Sequence, residues 1–424
     1  MTTTTSDLAG PEQAPGPAGD SFLDDAKVIS LIGVAHFFSH FYILLLPPLF
    51  PVLKDVFGVS YIELGLMVTI FSGATGVSQI GFGYLVDKMG AKWILIGGLA
   101  LEGLAFLGMG LIGDYWAILA LMAVAGIANG VYHPADYAIL SASVTEARMG
   151  RAFSLHTFTG FAGFAVVPLT IISLTGWFGW QAAVAACGVA GIAAAGLLVV
   201  FGYRLQHSPG SDKRRKPGET APAKSSGFDI LFSPAILMCM LFFTLLALSS
   251  GGINNFLVSA LNAVHDVSLE DATQALTGYL VGSSLGILLG GMIADRTSNH
   301  NLVAACCFLV TGLAILAVGL VSMPPLVLTA VMVGQGLTHG IIMPSRDMIV
   351  RSVAPVGSMG KVFGFVSTGF SIGGVTAPLL FGAILDWGAP TLVFYVIAGF
   401  MVVSLLTVFS VGDKRTGTSA QPAE

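Results

Sequence analysis

The chain has 424 residues, of which 55% are hydrophobic and only 10% are charged, and its formal net charge is -5. Soluble domains carry about 25% charged residues, so this composition excludes an ordinary soluble protein and predicts a protein of the lipid bilayer. The net charge gives no reason to expect a nucleic-acid partner. The four cysteines all fall inside apolar runs, which favours buried small side chains over disulfides or metal ligands.

The first segment, residues 1–27, begins with a Thr-, Pro- and Gly-rich stretch that has neither the basic nor the apolar block of a signal peptide. We predict a disordered cytoplasmic tail there. Apolar runs then follow that are long enough, at 1.5 Å per residue, to cross a bilayer core of about 30 Å. They lie near 28–51, 61–85, 93–112, 115–141, 151–174, 180–202, 234–258, 273–294, 302–321, 325–349, 361–384 and 390–411. The sequence therefore predicts an all-α membrane protein with twelve transmembrane helices.

The longest polar stretch between two runs is 204–233, which includes the basic cluster KRRK. We interpret it as a cytoplasmic linker that joins an N-terminal six-helix bundle, 28–203, to a C-terminal one, 234–411. A contact between the basic cluster and lipid headgroups is the alternative reading of this stretch. Residues 412–424 are predicted to form a cytoplasmic tail.

The basic residues predict the orientation. Of the 18 Lys and Arg, 16 fall at one side of the predicted bundle, while Lys54 lies on the other side and Arg346 within a span. Loops rich in Lys and Arg stay in the cytoplasm. We therefore predict a multi-pass protein of the cytoplasmic membrane with both termini inside.

The stretch from Gly126 to Trp177 recurs as Gly336 to Trp387, at a constant offset of 210. The residues that coincide are mostly Gly, Pro and Trp, which set backbone approach, kinks and interfacial anchoring. The pairs are Gly126/Gly336, Gly130/Gly340, Pro134/Pro344, Met149/Met359, Gly150/Gly360, Phe153/Phe363, Gly163/Gly373, Pro168/Pro378 and Trp177/Trp387. Such a repeat indicates two pseudo-symmetric halves, as many transporters have.

A short motif, Gly83-Tyr-Leu-Val-Asp87-Lys88-Met-Gly-Ala-Lys, follows the second run, and Asp295-Arg296 repeats part of it. With twelve spans, a central linker and two halves, the chain resembles the twelve-helix bacterial type of the major facilitator superfamily, MFS, from Lys27 to Arg415. The resemblance implies the MFS fold and a gating role for the motif residues, which are Gly83, Asp87, Lys88, Asp295 and Arg296. A turn that only sets the topology is the alternative for Asp87.

Two comparisons within that superfamily concern the direction of transport. The fourth span lacks the arginine that many drug/proton antiporters carry, which weakens an assignment as a drug exporter. The segment Asn129-Gly-Val-Tyr-His133-Pro134 is nevertheless similar to the His-Pro of fosmidomycin-resistance-like members. Efflux of a drug or metabolite therefore remains the alternative to uptake.

Histidines inside the spans are candidates for proton coupling, because imidazole titrates near neutral pH. His36 and His40 are four residues apart, hence on one face of the first helix, and Asp136 lies in the fourth. We predict proton-coupling roles for His36, His40, Asp136 and Glu102. For each histidine a neutral hydrogen bond to a neighbouring helix is the alternative, and for Glu102 a buried structural hydrogen bond.

The repeat aligns Asp136 with Arg346, so the halves carry opposite charges at equivalent positions. A guanidinium can bind a carboxylate, sulfonate or phosphonate through two parallel hydrogen bonds. Alternatively, Arg346 forms an ion pair with Asp136 or with Asp347. The polar residues of the spans predicted to bind substrate are Arg346, His133, His339, Asn129, Tyr137, His40, Gln335, Asn254 and Asn255.

The sequence thus predicts a secondary active transporter that moves a small organic anion with protons by alternating access, with uptake slightly favoured over efflux. No nucleotide-binding loop and no HExxH spacing is present, so we expect no cofactor, no metal and no enzymatic activity. The expected partners are the solute, protons and membrane lipids, and we expect a functional monomer. A transporter-like receptor is a third, weaker interpretation.

Overall fold

The computed structural model describes residues 22–145, 148–205, 231–354 and 359–412, and among these every regular element is helical. The first half contains α1 (Phe22–Ile43), α2 (Phe50–Phe57), α3 (Tyr61–Met89), α4 (Ala91–Ile112), α5 (Tyr115–Asn129), α6 (Tyr132–Ser143), α7 (Met149–Phe178) and α8 (Trp180–Phe201). The second half contains α9 (Pro234–His265), α10 (Leu269–Arg296), α11 (His300–Leu320), α12 (Pro325–Val353), α13 (Met359–Asp386) and α14 (Thr391–Gly412). Short 3₁₀ turns lie at Pro47–Leu49 and Gly202–Arg204.

These helices have the length and composition of membrane crossings. Within the described residues, eleven helical units are long and apolar enough to span a bilayer, and α14 adds a shorter apolar stretch, Thr391–Thr407. Two units are composite, since α1 and α2 form one from Phe22 to Phe57, and α5 and α6 form one from Tyr115 to Ser143. The prediction of an all-α membrane protein made of two similar helical bundles is confirmed.

Some predicted boundaries differ from the structure, because the helices extend beyond their apolar runs. α1 begins at Phe22, so residues 22–27 of the predicted tail are helical. The acidic residues Asp24 and Asp25 lie in its first turn, where a carboxylate is stabilised by the helix dipole. The rest of that tail, linker residues 206–230 and residues 413–424 lie outside the described residues, as does the side chain of Asp295.

The motif after the second crossing is helical rather than a loop. Gly83, Asp87 and Lys88 belong to the last two turns of α3, and Gly90 alone, with a φ of 91°, separates α3 from α4. A positive φ is readily adopted only by glycine, which explains the abrupt turn. Asp87 and Lys88 are exposed, and no ion pair between described side chains includes either. Arg296 is the last residue of α10.

The duplicated glycines make the same helix contacts in each half. Gly126 of α5 lies against α3, and its equivalent Gly336 of α12 lies against α10. Likewise Gly163 of α7 lies against α1, and Gly373 of α13 lies against α9. Small residues let helix backbones approach closely in membranes. The recurring glycines therefore encode the same packing twice.

Gly336→Ala should destabilise the second half. A Cβ at this position would lie 2.7 Å from the carbonyl carbon of Tyr279, so α10 and α12 must move apart. We expect a cost of about 1–3 kcal/mol, seen as a lower unfolding temperature in detergent. The matched control is Gly334→Ala in the same helix, where an added Cβ meets nothing within 4 Å. Equal unfolding temperatures for the two variants would contradict the close approach described here.

The two halves meet along two helix pairs, α3 with α13 and α7 with α10. At one end of the first pair, the carboxylate of Asp386 accepts hydrogen bonds from the backbone N–H groups of Tyr61 and Ile62, both at 2.8 Å. Further along, the Thr69 hydroxyl donates to the carbonyl of Val375 at 2.9 Å. The halves are thus tied together at the end of the bundle where α3 begins.

The opposite end of α3 is open. A Cβ added at Gly81 or Gly83 would meet nothing within 4 Å. Nearby side chains are largely exposed, with relative exposures of 78% for Val77, 81% for Ile80 and 70% for Tyr84. The contact between α3 and α13 therefore ends near Gly76, where an added Cβ would lie 3.8 Å from the hydroxyl oxygen of Ser371, and the bundles diverge towards Lys88.

Candidate functional site

Three buried polar side chains from different helices meet inside the first half. Asp136 of α6 lies between His36 of α1 and His156 of α7. Its Oδ2 is 3.2 Å from Nδ1 of His36 and 3.1 Å from Nε2 of His156. The relative exposures are 2% for His36, 0% for Asp136 and 2% for His156. We refer to these three residues as the His/Asp cluster.

Two more histidines flank the cluster. The ring centroid of His36 lies 4.7 Å from that of His40 and 5.4 Å from that of His133. His133 is exposed and stacks on the Tyr137 ring at 6.0 Å, so it forms the accessible side of the group. Four imidazoles thus lie close together, and two of them contact the Asp136 carboxylate. Imidazoles that are this close can pass a proton between them with small rotations.

Electrostatic repulsion limits the number of positive charges that the His/Asp cluster can hold. The rings of His36 and His156 are stacked, with centroids 3.6 Å apart and planes inclined by 26°. Two imidazolium ions at this distance would repel each other, whereas one is balanced by the Asp136 carboxylate. The His/Asp cluster therefore accommodates one positive charge more readily than two.

The local sequence explains how the helices bring the side chains of the His/Asp cluster together. α5 ends at Asn129 and α6 starts at Tyr132, just before Pro134, whose missing N–H and bulky ring interrupt the helical ladder. On α7, Gly160 leaves space for the imidazoles, since a Cβ there would lie 2.8 Å from Nε2 of His36 and 2.9 Å from Nε2 of His40. A proline and a glycine thus make the cluster possible.

Several buried polar atoms at the site have no hydrogen-bond partner. They are Oδ1 of Asp136 and Nδ1 of both His36 and His40, the His36 nitrogen being near Asp136 without hydrogen-bond geometry. Unsatisfied buried polar atoms are rare in proteins and are concentrated where a function requires them. The group therefore has buried polar atoms that are available to a further hydrogen-bond partner.

The same three side chains of the His/Asp cluster could also be considered as metal ligands, since their donor atoms lie within 4.8 Å of one another. Zinc, for example, needs ligand lone pairs that converge on one point about 2 Å away. Nδ1 of His36 and Nε2 of His156 instead both lie close to Oδ2 of Asp136, at 3.2 Å and 3.1 Å. The geometry suits a shared proton better than a bound metal.

Glu102, predicted as a proton-coupling residue, belongs to a separate network. Its carboxylate accepts hydrogen bonds from Nδ2 of Asn129 at 3.0 Å and from the hydroxyl of Tyr132 at 2.7 Å. Asn129 also donates to the carbonyl of Ser39 at 3.1 Å. Glu102 is 0% exposed and Asn129, predicted to bind substrate, is 6% exposed. This arrangement corresponds to the buried structural hydrogen bond that was the alternative for Glu102. It also holds the Asn129 side chain within the first half.

Arg346 pairs with its neighbour Asp347 rather than with Asp136. Its Nε and Nη2 lie 2.9 Å and 2.7 Å from Oδ1 of Asp347. The guanidinium carbon lies 4.6 Å from the centre of the Phe243 ring and 5.1 Å from that of Phe370. Asp136 is held within its own half because α1 and α7 supply two imidazoles to it. Of the two ion pairs considered for Arg346, the structure therefore contains the one with Asp347.

The remaining predicted binding residues of the second half lie on α12 and α9. Nε2 of His339 lies 3.4 Å from the hydroxyl of Ser250, and its ring lies 5.6 Å from that of Tyr279. Both polar side-chain atoms of Gln335 lack a partner, as do Nδ1 of His339 and Oδ1 of Asn254. Asn255, also on α9, is buried.

Sequence reasoning left out some residues of the site. His156 is an intramembrane histidine like the others, and that property alone could have placed it with them. Gly160 is one of 54 glycines, so its position carries no distinct signal. The aromatic neighbours of Arg346, Phe243 and Phe370, carry no signal in a chain that has 28 phenylalanines.

Comparisons with known proteins agree with this fold. The chain matches the family described as Major Facilitator Superfamily over residues 32–265 and 240–424. It is 23% identical over 388 residues to the Fosmidomycin resistance protein of Escherichia coli (strain K12), covering 90% of this chain and 92% of that one. It is 25% identical over 404 residues to the Uncharacterized MFS-type transporter YfnC of Bacillus subtilis (strain 168), covering 92% and 93%.

A solved structure shows the same architecture. It is a bacterial homolog of the human lysosomal transporter Spinster, in an inward-facing and occupied conformation. The TM-score is 0.78 at 14% sequence identity, over 95% of this chain and 100% of that one. At this identity the likeness concerns the fold alone.

Proposed function

The chain belongs to the major facilitator superfamily, and from this we propose that it is a proton-coupled secondary transporter of a small organic anion. The observation that carries the coupling is the His/Asp cluster, buried inside the first half. An ionisable group within the membrane is costly unless it is paired or functional. Here His36 and His156 both lie within 3.2 Å of Asp136, and Asp136 and His36 keep polar atoms that have no hydrogen-bond partner.

The cluster supplies a two-state proton site. With one imidazole protonated, its charge balances that of Asp136 and the site is neutral overall. When the proton leaves, the carboxylate remains buried without a counter-charge, which is unfavourable in a medium of low dielectric constant. We propose that this difference in free energy biases the two halves towards opposite openings, since a ligand shifts a conformational equilibrium through its differential affinity.

We propose that the described conformation opens to the cytoplasm. The halves are joined by a hydrogen bond at the end where Asp386 accepts from Tyr61, and they separate towards Lys88. The basic residues concentrate at the Lys88 side, which the positive-inside rule puts in the cytoplasm. An inward-open state in the cytoplasmic membrane, with both termini inside, follows from these two observations, and the exposed Asp87 and Lys88 then belong to the open gate.

Asp386→Asn should weaken the contact that closes the end of the bundle opposite the proposed cytoplasmic opening. Asn can accept only one of the two hydrogen bonds from Tyr61 and Ile62 and has no charge to stabilise the start of α3. A hydrogen bond to a charged group contributes about 1.5–3 kcal/mol, so we expect the outward-open population to rise roughly tenfold or more. Spin labels at Asp55 and Glu270, in opposite halves, would report it as a longer distance in pulsed electron paramagnetic resonance.

The control for this variant is Asp114→Asn. Asp114 also caps a helix, accepting from the backbone N–H of Ala117 at 2.9 Å, but both residues lie in the first half. It should leave the distance distribution unchanged. A distribution identical to wild type in Asp386→Asn would show that the contact with α3 does not hold the gate.

Export of a drug or metabolite is the second candidate function. It is favoured by the relative named Fosmidomycin resistance protein, which matches nine-tenths of the chain. The coupling site proposed above serves either direction, because a proton gradient can drive solute inwards or outwards. We include in the proposal that the protein acts as a monomer in lipid, has no cofactor and catalyses no chemical reaction.

The function can be tested by flux into proteoliposomes with and without an imposed pH gradient. The panel should contain mono- and dicarboxylates, sulfonates, phosphonates, amino acids, cationic drugs and fosmidomycin. We expect at least one anion to accumulate only when the gradient is present. Gradient-independent flux, or movement of cations alone, would contradict the proposal, and the sign of the effective gradient decides between uptake and export.

A further inference from the structure

We propose that one face of α12, formed by Gln335, His339 and Arg346, binds the substrate, and that its anionic group replaces Asp347 on Arg346. We call these three residues the α12 face. Asp347 then neutralises the guanidinium of Arg346 only while no substrate is bound. This inference rests on the proposed function in one respect, namely that the solute is an organic anion.

The guanidinium of Arg346 packs against two aromatic rings that also contact each other, with their centroids 4.8 Å apart. Phe243 of α9 and Phe370 of α13 lie on it at 4.6 Å and 5.1 Å, measured from the guanidinium carbon to the ring centres. Such contacts stabilise a cation through its faces and leave its N–H edge free for hydrogen bonds. Arg346 is thereby fixed in position whether or not Asp347 is bound to it.

The pair with Asp347 is easy to displace. The two residues are adjacent on α12, so their side chains leave the helix in different directions and must bend to meet. The side chain of Asp347 is 49% exposed, whereas that of Arg346 is 12% exposed. Half-exposed ion pairs are weak, because water competes for the carboxylate. An incoming oxyanion can therefore take its place at little cost.

The position at which the anion would replace Asp347 lies near the other half. Asp347 interacts electrostatically with Tyr137 of α6, across the space between the bundles. Arg346 in turn interacts electrostatically with His339, which lies two turns earlier on the same helix. The anion site is thus next to Tyr137, and Tyr137 contacts the cluster histidine His156 with ring centroids 5.4 Å apart.

Gln335 and His339, the other two residues of the α12 face, select the part of the solute that lies away from its anionic group. Gln335 and His339 are 1% and 4% exposed, and their side chains keep unpartnered polar atoms. Unpaired buried donors and acceptors reject a ligand that cannot satisfy them and favour one that can. Helical side chains lean towards the N-terminus, so the Arg346 head group lies roughly 5–10 Å from His339. The substrate class is an oxyanion that carries an amide or hydroxyl group several bonds away.

Binding to the purified protein tests this inference without any gradient. The probes are 4-acetamidobutyrate, which has both groups, and acetate, which has only the anion. We expect Asp347→Asn to lower the Kd of both probes by roughly tenfold, because no carboxylate competes for Arg346. Arg346→Lys should raise both by at least about tenfold, since Lys lacks the planar fork. Gln335→Ala should weaken 4-acetamidobutyrate only.

The control is Asp55→Asn, which removes the same charge from the exposed surface of α2 and should leave both Kd values unchanged. The proposal is overturned if Asp347→Asn binds no more tightly than wild type, if Arg346→Lys binds as well as wild type, or if neither probe binds to wild type or Asp347→Asn. If the Kd pattern is found but transport ignores the pH gradient, the anion site stands and the proposed coupling fails.

Discussion

Asp136→Asn is expected to abolish transport driven by a pH gradient while substrate exchange in the absence of a gradient persists. Without the carboxylate, a proton on His36 or His156 has no counter-charge. An uncompensated charge inside a span costs about 2.5–3.5 kcal/mol, which lowers proton occupancy roughly 100-fold. Exchange needs no net proton movement and should remain close to wild type. Both rates can be measured in proteoliposomes with the same radiolabelled anion.

Glu102→Gln is the matched control, since Glu102 is likewise a carboxylate of the first half with 0% exposure. A glutamine can still accept from Asn129 and can donate to the oxygen of Tyr132, so the network is preserved. We expect gradient-driven transport to continue in this variant. Loss of coupling in Glu102→Gln together with its retention in Asp136→Asn would move the proton site to Glu102 and overturn our assignment.

Gly160→Ala should inactivate transport without unfolding the protein. The added methyl group meets the ends of the His36 and His40 side chains, which can turn away, rather than rigid backbone. The fold should therefore survive, but the imidazoles leave their positions beside Asp136. Displacements of this size commonly reduce function on the order of 10- to 100-fold. Gradient-driven flux and the unfolding temperature, measured on the same preparation, separate the two effects.

Gly176→Ala, on the same helix, is the control for this variant because an added Cβ at Gly176 meets nothing within 4 Å. It should transport like wild type. A Gly160→Ala protein with an unchanged rate and an unchanged pH profile would show that the position of the imidazoles is unimportant.

The sequence predicted the architecture well because its signals are local or periodic. Apolar runs define the crossings, and the glycines at 126, 163, 336 and 373 recur because the same helix pairs form in each half. The equivalent prolines were less informative. Pro134 follows a break between α5 and α6, whereas Pro344 lies inside a continuous α12. The two prolines look equivalent in the sequence, so this difference between the halves could not be predicted from it.

The site could be predicted only in part. Helical spacing puts His36 and His40 on one face, but the rotation of α1, α6 and α7 about their axes decides which groups meet. That rotation brings His156 to Asp136, a residue 20 positions away on another helix. The same uncertainty left several partners open for Arg346, and the structure places Asp347 on it. Contacts between helices depend on packing across the whole bundle.

The central claim is that the His/Asp cluster carries the coupled proton, and counting protons tests it most directly. Proteoliposomes that contain a pH-sensitive dye should report proton movement when the transported anion is added to wild type. The account predicts stoichiometric proton movement in wild type and none in Asp136→Asn, although the anion still exchanges. Proton movement of equal size in Asp136→Asn would contradict it.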